Sequence, residues 1–221
     1  QFSKLERTPT PSNVFLDLGS SIHNMIQDVS KDTGKIPKKD EAITKLKEKW
    51  IFKSYQSGST ENTFWKRAEQ MTENYLNWRN TNKNKLIESE MDFDFEYEGV
   101  TINGRIDWLE ENPNGDYEVV DFKTGKTAVS SAVAEEDWQL NVYAKAIEEK
   151  YGKLPVKASL YFLDPNKKVE FTVDKKKVDK VLDEKIKPII KKILSGNFTA
   201  KPEQFKCRDC AYKDMCSESL A

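Results

Sequence analysis

The chain has 221 residues, enough for one large domain with a buried core. Hydrophobic residues make up 37% and charged residues 33%, ordinary for a rather polar globular protein. The net charge of −1 gives no sign of a polyanionic partner, but the basic residues are mostly lysine, the arginines being Arg7, Arg67, Arg79, Arg105 and Arg208; lysine suits non-specific phosphate contact better than bidentate base reading. No run is long or apolar enough to span a membrane, and no signal peptide is visible, so no membrane partner and a cytoplasmic location are expected. The chain opens on Gln1 and reads as a piece cut from a longer protein.

Residues 1–12 are polar, and Pro9 and Pro11 forbid an early helix; Ser12 is the predicted N-cap. From Asn13 to about Asp32, Val14, Leu18, Ile22, Met25, Ile26 and Val29 recur at helical spacing. This helix carries His23, the one histidine of the chain. Alone, such a histidine reads as a surface or satisfied core residue. Residues 33–39 form a loop, and helices are predicted over Asp40–Tyr55 and Glu61–Asn82. The aromatic stripe of the second, including Phe64, Trp65, Tyr75 and Trp78, is assigned to the core, base stacking by Trp65 or Trp78 being the lesser alternative. After a turn at residues 80–85, Leu86–Tyr97 alternates as a strand. Met91, Phe93, Phe95 and Tyr97 share one face, and Glu90, Asp92, Asp94 and Glu96 the other. Asp92, Asp94 and Glu96 read as solvated.

Arg105–Leu109 and Tyr117–Phe122 then flank NPNGD, a cluster of turn formers, and predict a hairpin whose first strand starts near Val100. With the turn centred on Asn114, Asp107 lies opposite Asp121, and Lys123 shares the face of Asp121. Opposed like charges are destabilising. One alternative is a surface hairpin with solvated charges. Against it, Val119 lies on the face of Asp121 while Ile106, Trp108, Val120 and Phe122 load the other, so both faces are covered and bare carboxylates would be costly. A divalent cation with oxygen ligands resolves the conflict, and a lysine beside it can position or deprotonate a water.

Residues 124–133 form a small-residue loop in which Lys126 is either placed for phosphate or simply solvated. A helix is predicted over Ala134–Lys150, with Gln139 and Tyr143 on one face. Strands follow at Lys157–Leu163 and Val169–Val173, joined by a turn at residues 164–166. A helix over Lys175–Leu194 closes at Ser195-Gly196, its lysines a solvated face with DNA contact as the alternative. All three cysteines, Cys207, Cys210 and Cys216, lie in FKCRDCAYKDMC. In an intracellular protein that spacing favours metal over disulfide, and three thiolates are one short of a closed tetrahedral site.

GSSIH, GRID, VVDFKTGK and QLNVY together resemble the PD-(D/E)xK nuclease signature in its RecB-type exonuclease branch. The resemblance runs from GSSIH to the terminal cysteines. It implies a restriction-endonuclease-like α/β fold: a mixed sheet flanked by helices, with a helical insert at about 38–82 and a C-terminal cysteine tail, all in one domain over residues 1–221. It implies that His23, Asp107, Asp121 and the backbone carbonyl of Phe122 hold Mg²⁺ or Mn²⁺, and that Lys123 orients or activates the attacking water. Gln139 and Tyr143 would hold DNA or the water network. A glutamate, Glu88 or Glu90, stands near such sites, and neither is assigned as a ligand. The iron–sulfur subset of the branch (CRISPR-associated exonucleases, AddB-type subunits, helicase-fused nucleases) has one cysteine near the start and three at the end. That implies a 4Fe-4S cluster on Cys207, Cys210 and Cys216, its fourth cysteine absent from this chain, with zinc or nothing as alternatives. The implied activity is metal-dependent hydrolysis of DNA, as an exonuclease in repair, recombination or defence. It would act on single-stranded DNA or duplex ends beside a helicase domain or subunit. The alternative is a catalytically silent DNA-binding or scaffolding module, ranked lower because His23, Asp107, Asp121, Lys123, Gln139 and Tyr143 all stand.

Overall fold

The computed structural model describes residues 13–32, 35–55, 57–208, 210 and 212–221. Ser12, the predicted first cap, lies outside them. Asn13 caps the first helix instead, its side chain accepting from the amides of Phe15 and Leu16. The elements run α1 (Val14–Val29), α2 (Lys39–Lys49), α3 (Gly58–Thr81), β1 (Lys85–Tyr97), β2 (Val100–Glu111), β3 (Tyr117–Lys123), α4 (Ser131–Glu135), α5 (Trp138–Tyr151), β4 (Lys157–Phe162), β5 (Lys167–Thr172), α6 (Lys175–Val181), a π-helical segment Leu182–Ile186, α7 (Lys187–Leu194) and α8 (Gln204–Arg208).

The sheet order is β1-β2-β3-β4-β5. Only β3 and β4 pair in parallel; the other neighbours are antiparallel, so the sheet is mixed. β3 and β4 are covered on both faces, and VVDF and ASLYF are accordingly near-continuous buried runs. α5 makes the crossover between them. On its side of the sheet, Leu140, Val142 and Ile147 of α5 pack with Met91, Phe93, Val119 and Leu160 and with Val178, Leu182 and Ile190. On the other side, Leu18, Ile22 and Met25 of α1 and Met71 and Tyr75 of α3 pack with Trp108, Val120, Phe122 and Tyr161. Trp65 and Trp78 pack against this second core.

Several sequence expectations shift here. The helix predicted to Tyr55 stops at Lys49, because the following segment is tied to α1: the amide of Ile51 donates to Ser21 Oγ and that of Ser54 to Asp17. The helix predicted over residues 134–150 is two, because the Asp137 side chain accepts from the amide of Leu140 and starts a new one. The helix over residues 175–194 passes through the π segment, since Pro188 has no amide hydrogen to continue the α ladder. Ile106 packs with Met91 on the α5 side, not with Trp108. Glu90, beside it on β1, has φ +53°, and strict alternation fails there.

Gly104 has a visible reason. A Cβ at this position would stand 2.7 Å from Cζ of Phe93, whose ring crosses the glycine. Phe93 is buried, edge-on to Tyr143. Gly104→Ala is therefore expected to cost about 1–3 kcal/mol by overpacking, seen as a lower unfolding midpoint in denaturant. An unchanged midpoint would show that the Phe93 ring is free to relocate.

Candidate active site

The hairpin pairs Trp108 with Val120, Leu109 with Val119, Glu110 with Glu118 and Glu111 with Tyr117. One further step in that register sets Asp107 across from Asp121. Beyond Trp108, β2 continues against β1 alone, and the Asp107 side chain fills the gap, its Oδ2 accepting the amide of Phe122 at 2.8 Å. The turn is fixed by Asn112, whose Oδ1 accepts the amides of Asn114 and Asp116, and by Gly115 at φ +83°.

The site lies at the carboxyl end of β3, where helices of the two faces meet. α1 brings His23, whose Nε2 lies 3.0 Å from the carbonyl oxygen of Phe122. Its Nδ1 is 3.5 Å from Asp107 Oδ2 and 3.7 Å from Glu90 Oε1. On the opposite side, Lys123 Nζ donates to Gln139 Oε1 at 2.9 Å, and Gln139 Nε2 donates to the Tyr143 hydroxyl at 2.7 Å. The four-residue spacing on α5 thus becomes a chain that holds the lysine. The residues singled out from the sequence for the metal and the water, His23, Asp107, Asp121, Phe122, Lys123, Gln139 and Tyr143, fall in this one region.

Asp121 is 2% exposed. The Lys123 ammonium stands 2.7 Å from its Oδ2 but off the directions a hydrogen bond needs, so that oxygen has no hydrogen-bond donor among the described residues. Burial pushes the Asp121 carboxyl above its usual range, against the pull of Lys123. Burial and the charge of Asp121 push Asp107 up to about 7. For His23, burial opposes the imidazolium, but Glu90, Asp107 and Asp121 outweigh it and push the pKa up to about 9. Burial, with the charges of Asp121 and Asp107, raises the Tyr143 phenol, which stays protonated.

These shifts have two origins: burial disfavours the charged carboxylates and phenolate, and negative charge is crowded without enough positive charge to offset it. Protons supply it in part, and a divalent cation would supply it better. The donor geometry agrees. Ligand atoms of His23, Glu90 and Asp107 all lie within 4.8 Å of one another. Opposite ligands of an octahedral ion with bonds of about 2.1 Å stand about 4.2 Å apart, within that span. Carboxylate, carbonyl and imidazole donors suit Mg²⁺ or Mn²⁺. The residues present fit such an ion.

Glu90 is the group the sequence left unassigned. Period-two alternation puts it with Asp92, Asp94 and Glu96, which are exposed. Its positive φ instead leaves its side chain 15% exposed and beside His23. Glu88 is 48% exposed and pairs with Lys150. No local signal in the sequence marks the difference.

The cysteine tail does not join this centre. Cys207, Cys210 and Cys216 are free thiols. Three thiolates are one short of the four a 4Fe-4S cluster takes, and among the described residues they are not gathered at metal-ligand distance. These three thiols by themselves do not fit a cluster. No helix among the described residues is long and apolar enough to cross a membrane.

A mixed sheet flanked by helices, with a carboxylate–lysine cluster at the end of a central strand, is the restriction-endonuclease-like arrangement. The model of the PD-(D/E)XK nuclease superfamily matches residues 1–217, and the chain belongs to that superfamily. It is 28% identical over 148 residues to the Gene 69 protein of Mycobacterium phage L5, covering 63% of this chain and 49% of that protein. It is 26% identical over 162 residues to the Gene 69 protein of Mycobacterium phage D29, covering 66% and 56%. The chain thus spans about half the length of either relative. A crystal structure of a candidate exonuclease from Eubacterium rectale is similar at a TM-score of 0.43 and 14% identity, covering 87% of this chain and 89% of that one, a likeness too distant to bear on function.

Proposed function

We propose that the chain is a Mg²⁺- or Mn²⁺-dependent deoxyribonuclease that hydrolyses phosphodiester bonds. The observation that carries this reading is the meeting of His23, Glu90 and Asp107 at metal-ligand spacing, with His23 against the Phe122 carbonyl and the buried Asp121 paired with Lys123, which Gln139 holds. His23, Glu90, Asp107, Asp121 and the Phe122 carbonyl would hold the ion. Bound there, it would neutralise charge on the phosphate as the reaction proceeds. Lys123 donates to the attacking water and orients its oxygen toward phosphorus. Gln139 and Tyr143 are positioning residues that fix where the ammonium points. The substrate is DNA, held by its backbone charge, as the scarcity of arginine supports. Exonuclease action at single-stranded or duplex ends, a helicase domain or subunit as partner, and one nuclease domain within a longer protein rest on the RecB-type resemblance.

The test is cleavage of end-labelled single- and double-stranded DNA in Mg²⁺, Mn²⁺ or EDTA. Cutting in either metal that stops in EDTA is the expected result. Binding without cutting under any metal would overturn the enzymatic reading in favour of a silent DNA-binding module. Cutting of RNA but not DNA would overturn the substrate.

A further inference from the structure

Beside the site, a groove of about 370 Å³ runs between β2 and α5, closed at its far end by Ile186 and Ile190. Its floor is aromatic and apolar: Phe93, Val142 and Tyr143. Its rims are unlike the floor. On one side stands Trp138, the first residue of α5, 56% exposed although it is among the largest apolar side chains of the protein. On the other is Arg105, half-exposed on β2.

Three observations make this groove a continuation of the active site. Gln139 and Tyr143, which hold Lys123, also line it. Arg105 brings a guanidinium to the rim, where its Nε donates to the exposed Asp92 at 2.7 Å and its Nη1 lies 3.8 Å from Glu90 of the carboxylate cluster, leaving its remaining N–H groups for a phosphate. Among the described residues, β2 pairs with β3 only from Trp108 onward, so Asn103, Gly104 and Arg105 have β1 on one side and no strand on the other. An extended polymer leaving the carboxylates along this edge meets a cation and then an exposed indole over an apolar floor.

Such a sequence of surfaces suits a nucleotide: phosphate to the guanidinium, base to the indole face. We propose that the groove seats an unpaired base of the substrate strand, stacked on Trp138 with Arg105 against its phosphate. A single strand, rather than an intact duplex, is then the form held beside the site. A base within a duplex is stacked on its neighbours and reaches Trp138 only after flipping out, at a cost. The inference rests on the nuclease reading above and names the form of substrate it takes. Trp65 and Trp78, the tryptophans whose sequence setting first raised base stacking, are packed against the core and unsuited to it.

The test compares a short labelled strand with the same strand made abasic at its central positions. Binding is measured by fluorescence anisotropy in Ca²⁺, for the intact chain and for Trp138→Ala and Trp138→Phe. The intact chain should bind the base-bearing strand about tenfold more tightly than the abasic one. Trp138→Ala should bind both alike, at the abasic level, and Trp138→Phe should keep most of the preference. A duplex of equal length should bind Trp138→Ala and the intact chain alike. The inference fails if Trp138→Ala keeps the preference, if it weakens both strands equally, or if the intact chain shows no preference. Cleavage of the base-bearing strand in Mg²⁺ separates the two readings. Cutting with no dependence on Trp138 sinks this inference alone, whereas a chain that cuts no nucleic acid sinks the nuclease reading.

Discussion

Lys123→Ala is expected to slow cleavage by about 10²–10⁴-fold, the range for removing a positioned proton-transfer or water-orienting group. DNA affinity should change only a few-fold, because backbone contacts are spread over many lysines. The geometry explains why no neighbour can substitute. The ammonium is set by Asp121 Oδ2 on one side and Gln139 Oε1 on the other, and Gln139 is itself fixed by Tyr143. The substitution also leaves the buried Asp121 carboxylate without its cation, and breaking such a pair is typically destabilising by several kcal/mol. The folded fraction should therefore be measured beside the rate, by single-turnover cleavage at saturating protein and low temperature with circular dichroism on the same samples. A folded variant that cuts within tenfold of the intact chain would remove Lys123 from the mechanism.

The second large effect is expected at Asp107. Asp107→Asn keeps an oxygen to accept the amide of Phe122 but removes one charge from the crowded cluster. Without metal, the variant should be no less stable than the intact chain, because it removes a charge that burial disfavours and relieves its repulsion with Asp121, which together outweigh the attraction to His23. With metal the order reverses. An ion that binds only the folded protein stabilises it by about 2.7 kcal/mol at a hundredfold excess over its Kd. For a chain of this size that raises the unfolding temperature by about 5–10 °C. The intact chain should show that rise in Mn²⁺ and the variant should lose most of it, with cleavage falling roughly 10³-fold. Equal metal-induced shifts in the two proteins would mean that Asp107 is not a ligand.

Much of this site could be read from the order of residues alone. Turn chemistry at NPNGD fixes the register of the hairpin, and register fixes which side chains oppose one another; Asp107, Asp121 and Lys123 follow from that chain of reasoning. The four-residue spacing of Gln139 and Tyr143 places them on one helix face whatever the tertiary structure. Alternation of apolar and charged residues fixes that Asp92, Asp94 and Glu96 face solvent. Each of these is a local fact, set by backbone periodicity and a few turn residues.

Other features depend on contacts between segments far apart in the chain. Glu90 leaves the solvated face because its backbone adopts a positive φ where β1 meets Ile106 and Asp107, and no composition signal marks it. The ends of α2 and α4 depend on where Ser21, Asp17 and Asp137 find amides to accept. The glycine of GRID is needed because Phe93 crosses it from the neighbouring strand. Trp138 reads as one more apolar helix residue until α5 is laid against the sheet and its indole is left at the rim of the site. The sequence by itself determined the hairpin that sets Asp107 against Asp121 with Lys123 beside them, because periodicity and turn chemistry are local, and its motifs carried the resemblance to the superfamily and its mixed sheet. The tertiary structure alone decided which glutamate joins that cluster, what holds the lysine and which tryptophan stays exposed, because packing between distant segments sets burial and orientation.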